Sequence, residues 1–195
     1  MGVVKLSTGE ITQYQKYSNF LAGNTAFVPG AFDLLETQVL GTSAASVTFS
    51  SLNTYASNYK HLQIRMVGRA SRSGATTDPL IVRLNSTTQT YGHHLFGNGS
   101  AASSGNIATS YSLLDAITGA TAATDVFGVC VIDILDPFEA TKTKTIRAMT
   151  GANTVVSLSS AFWNFTTAVS SIELSAFSAT NFLVGSRFSI YGIRG

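Results

Sequence analysis

Apolar side chains recur at every second position through most of this chain, and no stretch keeps a helical period for more than about two turns. Alternation by two sends successive side chains to opposite sides of an extended backbone, so the pattern requires strands with one apolar side. Residues 61–69 show it best: Leu62, Ile64 and Met66 fall on one side, Gln63, Arg65 and Arg69 on the other. Residues 79–85 repeat it with Leu80, Val82 and Leu84 opposite Arg83. Further strands are predicted over residues 36–40, 46–51, 91–96, 111–114, 125–135, 144–150, 155–162, 171–177 and 186–193. Turn signals separate them at Asn98, Gly119, Asp136 and Gly151. Short strands at intervals of about ten residues, punctuated by glycine, predict an all-β domain, an antiparallel two-sheet β-sandwich of jelly-roll type. Its core is expected to take in Leu62, Ile64, Leu80, Val82, Leu84, Val126, Cys130, Ile132, Phe188 and Ile190.

Residues 1–33 break the pattern with mixed polarity, weak alternation and the scattered rings of Tyr14, Tyr17, Phe20, Phe27 and Phe32. They read as an extended N-terminal arm, with a short helix near residues 14–21, ahead of a sandwich domain at residues 34–195. An arm without a core must cover its rings elsewhere, either on its own sandwich as a strap or on a neighbouring subunit as an anchor. Tyr14, Tyr17, Phe20 and Phe27 are the candidate partner-binding residues.

Charge narrows the function classes. Only 11% of residues are charged, against roughly 25% in an ordinary domain, so solubility rests on hydroxyls, amides and glycines. A surface of that kind suits a subunit packed among neighbours. A net charge of +2 without a basic cluster does not fit nucleic-acid binding. Arg65, Arg69 and Arg72 come closest, and the first two read as one solvated face. Cys130 is the single cysteine, which excludes an internal disulfide and predicts a buried, inert thiol. No apolar run approaches the roughly 20 residues of a membrane span, and the first residues lack a secretion pattern. The chain is therefore expected in the cytosol unless a particle carries it out, with no membrane insertion.

Catalytic groups are few. His93 and His94 are adjacent, so a strand sends them to opposite faces and they cannot share an ion; His61 would need a carboxylate for which no spacing signal exists. No metal or cofactor is expected. Asp133, Asp136, Glu139 and Glu173 could supply the two carboxylates of glycoside hydrolysis only at a fixed separation, and Asp136 before Pro137 reads as a turn former. GxSxG and HExxH are missing, and FGNGSAASSG lacks the lysine and helix of a phosphate loop. No catalytic residue is assigned, and the chain is read as non-enzymatic. Trp163, within SAFWNFTT, is either an exposed platform for a pyranose ring or the end of a core strand; it is the candidate glycan contact.

The run ASVTFSSLNTYASNYKHLQIRMVGRA resembles the opening of a domain widespread among virion structural and tail-fibre proteins of tailed bacteriophages. YGHHLFGNGS, FGVCVIDILDPFEATKTKTIRAMTG and GSRFSIYGIRG continue the resemblance in the same order, over residues 32–195. It implies a β-sandwich component of the virion, an appendage subunit of tail, baseplate or fibre anchored through its arm, without cofactor or catalytic residues. Capsid decoration and host-polysaccharide binding are the alternatives. The implied partners are other virion proteins (tail, baseplate or major capsid protein), host surface glycan, and further copies of the chain. A trimer is expected from the symmetry of attachment sites.

Overall fold

The computed structural model describes residues 32–86, 90–97, 102–109, 112–178 and 180–195, and in these the alternation becomes twelve strands. In chain order they are β1 (Phe32–Val39), β2 (Ser46–Phe49), β3 (His61–Gly68), β4 (Thr77–Leu84), β5 (Thr90–Gly97) and β6 (Ala102–Thr109). The second half gives β7 (Ser112–Thr118), β8 (Gly128–Leu135), β9 (Lys144–Ala152), β10 (Val155–Trp163), β11 (Ile172–Ala176) and β12 (Arg187–Ile193). A 3₁₀ turn at Leu52–Tyr55 lies between β2 and β3.

Two antiparallel sheets result. An eight-stranded sheet runs β1-β12-β3-β8-β9-β10-β5-β6, and a four-stranded sheet runs β2-β11-β4-β7. Eight against four is a wider division than the eight-stranded double Greek key of a jelly roll. The inward residues of β3, β8 and β12 join those of β4 and β11 in one buried cluster, with Ile64, Ile132, Ile190, Val82 and Leu174 all fully covered. Phe182 packs edge-to-face on Phe188 at 4.9 Å, an arrangement worth about 1 kcal/mol beyond its area.

Four details depart from the sequence expectation. Val126 is 42% exposed rather than in the core, because β8 begins at Gly128 and not at 125. Asp125 instead takes a left-handed φ of 60°, which turns the chain. Strand β6 is not among the predicted strands; its residues ASSGNIAT have weak strand propensity, and the ladder to β5 supplies what propensity does not. The turn expected at Gly151 falls two residues later, on Asn153 and Thr154, since Val155 pairs with Ala152 and Asn153 takes a positive φ of 52°. Gly151 therefore lies within β9. Phe32 and Asp33, assigned by sequence to the arm, are the first residues of β1.

Buried polar groups fix the loops. Asp78 is fully buried beside a register shift around Pro79, which has no N–H for the ladder. Its carboxylate accepts from Ser178 Oγ at 2.7 Å and Thr180 Oγ1 at 2.7 Å, with Arg72 at 3.7 Å. Arg69 was expected on a solvated face beside Arg65, but it is 8% exposed and just past the end of β3. Its guanidinium donates to the carbonyls of Ala120, Ala122, Ala123 and Val126, pinning the segment that leads into β8.

Candidate interaction face

The covered side of the eight-stranded sheet faces the smaller sheet; among the described residues nothing covers its other side. Registry aligns the outward residues of β8, β9 and β10 in rows across the strands. One row is Val129, Gly151 and Val156; the next is Val131, Met149 and Leu158. Four of these stand well into solvent: Val129 56%, Met149 56%, Val156 60% and Leu158 52% exposed. Because Gly151 has no side chain, a hollow of about 220 Å³ opens between Val129 and Val156. A second hollow of about 340 Å³ lies on the other side of Met149, against Arg147 and Asp133. Met149 is thus a ridge between two depressions.

The third row, Gln63, Asp133 and Arg147, is polar, and Arg65, in register with Val131 at the β3 end of the second row, reaches across to it. Asp133 Oδ1 accepts from Gln63 Nε2 at 2.7 Å and its Oδ2 from Arg147 at 3.0 Å, while Arg65 Nε donates to Gln63 Oε1 at 2.8 Å. The Arg65 guanidinium also lies over the rings of Tyr191, at 4.9 Å, and Phe32, at 5.6 Å. Asp133, Arg147 and Arg65 are each held by a neighbour on this face.

The other titratable candidates do not converge. Asp136, in the turn after β8, binds Lys142 Nζ at 2.7 Å, and that ammonium holds its carboxyl below the ordinary value. His61 Nδ1 accepts the Asp136 backbone N–H at 3.1 Å. Glu139 lies 3.7 Å from Lys60, and its carbonyl accepts from Lys144 Nζ. Glu173 pairs with Arg83 at 2.7 Å on β11, in the other sheet from Asp133. His93 and His94 lie on β5, opposite Ser160 and Ser159 of β10. Among the described residues no group of three or more His, Cys, Asp or Glu could hold a metal ion. Burial pushes the Cys130 thiol up to about 12, which agrees with an inert side chain.

Trp163 is not an exposed platform. It ends β10 on the inward side, fully buried in the core, and pairs in register with Lys144. A covered indole cannot stack on a sugar, so the proposed glycan contact is withdrawn. Tyr14, Tyr17, Phe20 and Phe27 lie outside the described residues. Sequence reasoning missed the apolar outer rows, although the run FGVCVIDIL, apolar at both odd and even positions, carried the signal. Comparison finds no matching protein family, curated protein or solved structure.

Proposed function

We propose that this chain is a non-enzymatic structural subunit of a bacteriophage particle, a tail, baseplate or fibre component, which assembles by burying the outer face of its eight-stranded sheet. The band of Val129, Met149, Val156 and Leu158, each more than half exposed and side by side on one sheet, carries the proposal. Single exposed apolar residues are ordinary, whereas a contiguous patch marks an interaction site. The low charge fraction of 11% supports the same reading, since a crowded lattice of like subunits gains from weak mutual repulsion. Kinship with virion domains rests on the sequence pieces quoted above, and with it the proposed residence in the virion among tail, baseplate or capsid proteins. Anchoring through Tyr14, Tyr17, Phe20 and Phe27 is the second contact of the proposal. Burial of Trp163 leaves recognition of host polysaccharide without its chosen residue.

The test is incorporation of full-length Leu158→Asp into particles lacking the wild-type protein. Leu158 is half exposed, so the variant is expected to fold with an unchanged circular dichroism spectrum. A charge on a desolvated interface should cut its copies per particle by about tenfold or more. Wild-type copy number by quantitative mass spectrometry would remove the face from assembly.

A further inference from the structure

We infer that residues 1–31 of the same chain cover the outer face of β8–β10 before assembly, with the ring of Phe20 seated in the hollow over Gly151. The cover as such needs only the face; its role before assembly rests on that face and this arm being the two assembly contacts.

The arm joins the sandwich at a corner of this face. Strand β1 is the edge of the eight-stranded sheet, and Phe32 is its first residue. The Phe32 ring lies 5.6 Å from the Arg65 guanidinium, which also lies over Tyr191, so the chain before Phe32 departs beside the side to be covered. Pro29 and Gly30, a pair favoured at the centre of a type II turn, stand just ahead of it and suit a change of direction there.

Reach is sufficient. From Phe32, Gly151 lies across β12, β3 and β8 to β9 and about six residues along the strands, roughly 28 Å in all. The chain between Phe20 and Phe32 spans up to about 40 Å when extended, which leaves slack for the turn. The hollow of about 220 Å³ exceeds the roughly 150 Å³ that holds a benzene ring.

Chemistry and tether favour the same occupant. Residues 17–31, YSNFLAGNTAFVPGA, carry the rings of Tyr17, Phe20 and Phe27 and no charge, so laying them on Val129, Met149, Val156 and Leu158 desolvates no charge of the arm. Where the segment crosses Arg65, its backbone carbonyls are acceptors for the guanidinium. A tethered segment needs less contact than a separate molecule, since the link holds it at an effective concentration of roughly millimolar. Docking of this kind is a local equilibrium, which shields the outer side chains without packing them as the inner ones are packed. It keeps two apolar surfaces from other partners until assembly exchanges them.

Met149 reports the cover, because peroxide oxidises a thioether only where it reaches the sulfur. In full-length protein at about 1 μM, shown to be monomeric by sedimentation, Met149 should oxidise about tenfold more slowly than in Phe20→Ser/Phe27→Ser. Buried Met66 should be protected in both, which reports that the sandwich is intact. Disulfide trapping gives a reading that does not depend on this variant. A Cβ at Gly151 would meet only Val129 Cγ2, at 3.8 Å, so a cysteine fits there. Phe20→Cys/Gly151→Cys should close within one chain under oxidised glutathione about tenfold faster than Phe20→Cys/Thr48→Cys, whose second site lies on the exposed side of β2 in the other sheet.

Equal oxidation of Met149 in wild type and variant, equal closure of the two cysteine pairs, or protection that vanishes on dilution would overturn the cover. If the cover fails while Leu158→Asp still drops out of particles, the face remains an assembly surface that the arm does not guard. If both readings support the cover while Leu158→Asp enters particles at wild-type copy number, the cover stands and the assembly role of the face fails.

Discussion

Strand β8 is nearly as apolar on its outer side as on its inner side, yet Ile132 is fully buried while Val129, three residues earlier, is 56% exposed. The same holds on β9, where Ile146 is covered and Met149 stands in solvent. The inner side is covered by the four-stranded sheet, and among the described residues nothing covers the outer side. The comparison teaches that residue type records how much apolar surface must be covered in the final assembly, whereas the fold of one chain records only how much it can cover itself.

The largest expected effect lies on the inner side. Ile132→Ala should cost about 3 kcal/mol, the lost transfer energy plus the cavity left in a core that cannot collapse onto it. Val131→Ala, one residue away on the outer side, should cost under about 1 kcal/mol at low protein concentration. Urea midpoints at unchanged m-value make the measurement. Equal costs would mean that the outer side is already covered within the single chain.

Next comes the loop that leads into β8 and so sets where its outer side begins. Arg69 gives that segment four hydrogen bonds to carbonyls that no strand partner serves. Arg69→Met keeps the stem and removes the donors, at a cost of about 2 kcal/mol. Faster amide exchange confined to residues 119–127 would locate the damage. Exchange that rises through the sandwich instead would show that Arg69 serves the core.

Much of this was legible in the sequence, and the failures have physical causes. Leu62, Ile64, Leu80, Val82 and Phe188 could be placed because alternation reports burial wherever one side of a strand meets water. It could not say that Met149 and Leu158 face outward with no described residue over them, because periodicity names two sides without saying which is covered. Arg69 was misread because parity continues past the strand end in sequence but not in space. Trp163 was left between two roles, and only the opposing sheet decides which side of β10 is inside. Strand β6 was unreadable, since small polar residues gain their strand conformation from the neighbour they pair with.

The smallest effect tests how strictly the inner side excludes charge. Lys144 is the exception there: at the start of β9 it is fully buried among inward residues, and its amine donates to the carbonyl of Glu139. Burial holds that amine below the ordinary lysine value, with Glu139, Asp136 and Lys142 acting as smaller and partly opposing influences. Below its folded value the amine is charged in both states, so the full penalty of burying the charge is present. As pH rises from the folded value towards the ordinary one, the native state sheds its proton before the unfolded chain does, and stability rises. Other groups move the opposite way in alkali: the Cys130 thiol and the Tyr59 hydroxyl are both raised, and each lowers stability as the unfolded state ionises first. The difference between wild type and Lys144→Met isolates the lysine, because those other groups are common to both. At neutral pH the two should differ by no more than about 1 kcal/mol, the lost hydrogen bond offsetting the relief of the charge. As pH rises towards the ordinary lysine value of about 10.5 the difference should shift in favour of the wild type. A difference flat across that range would mean that water reaches the amine and that the inner side is open at this end of β9.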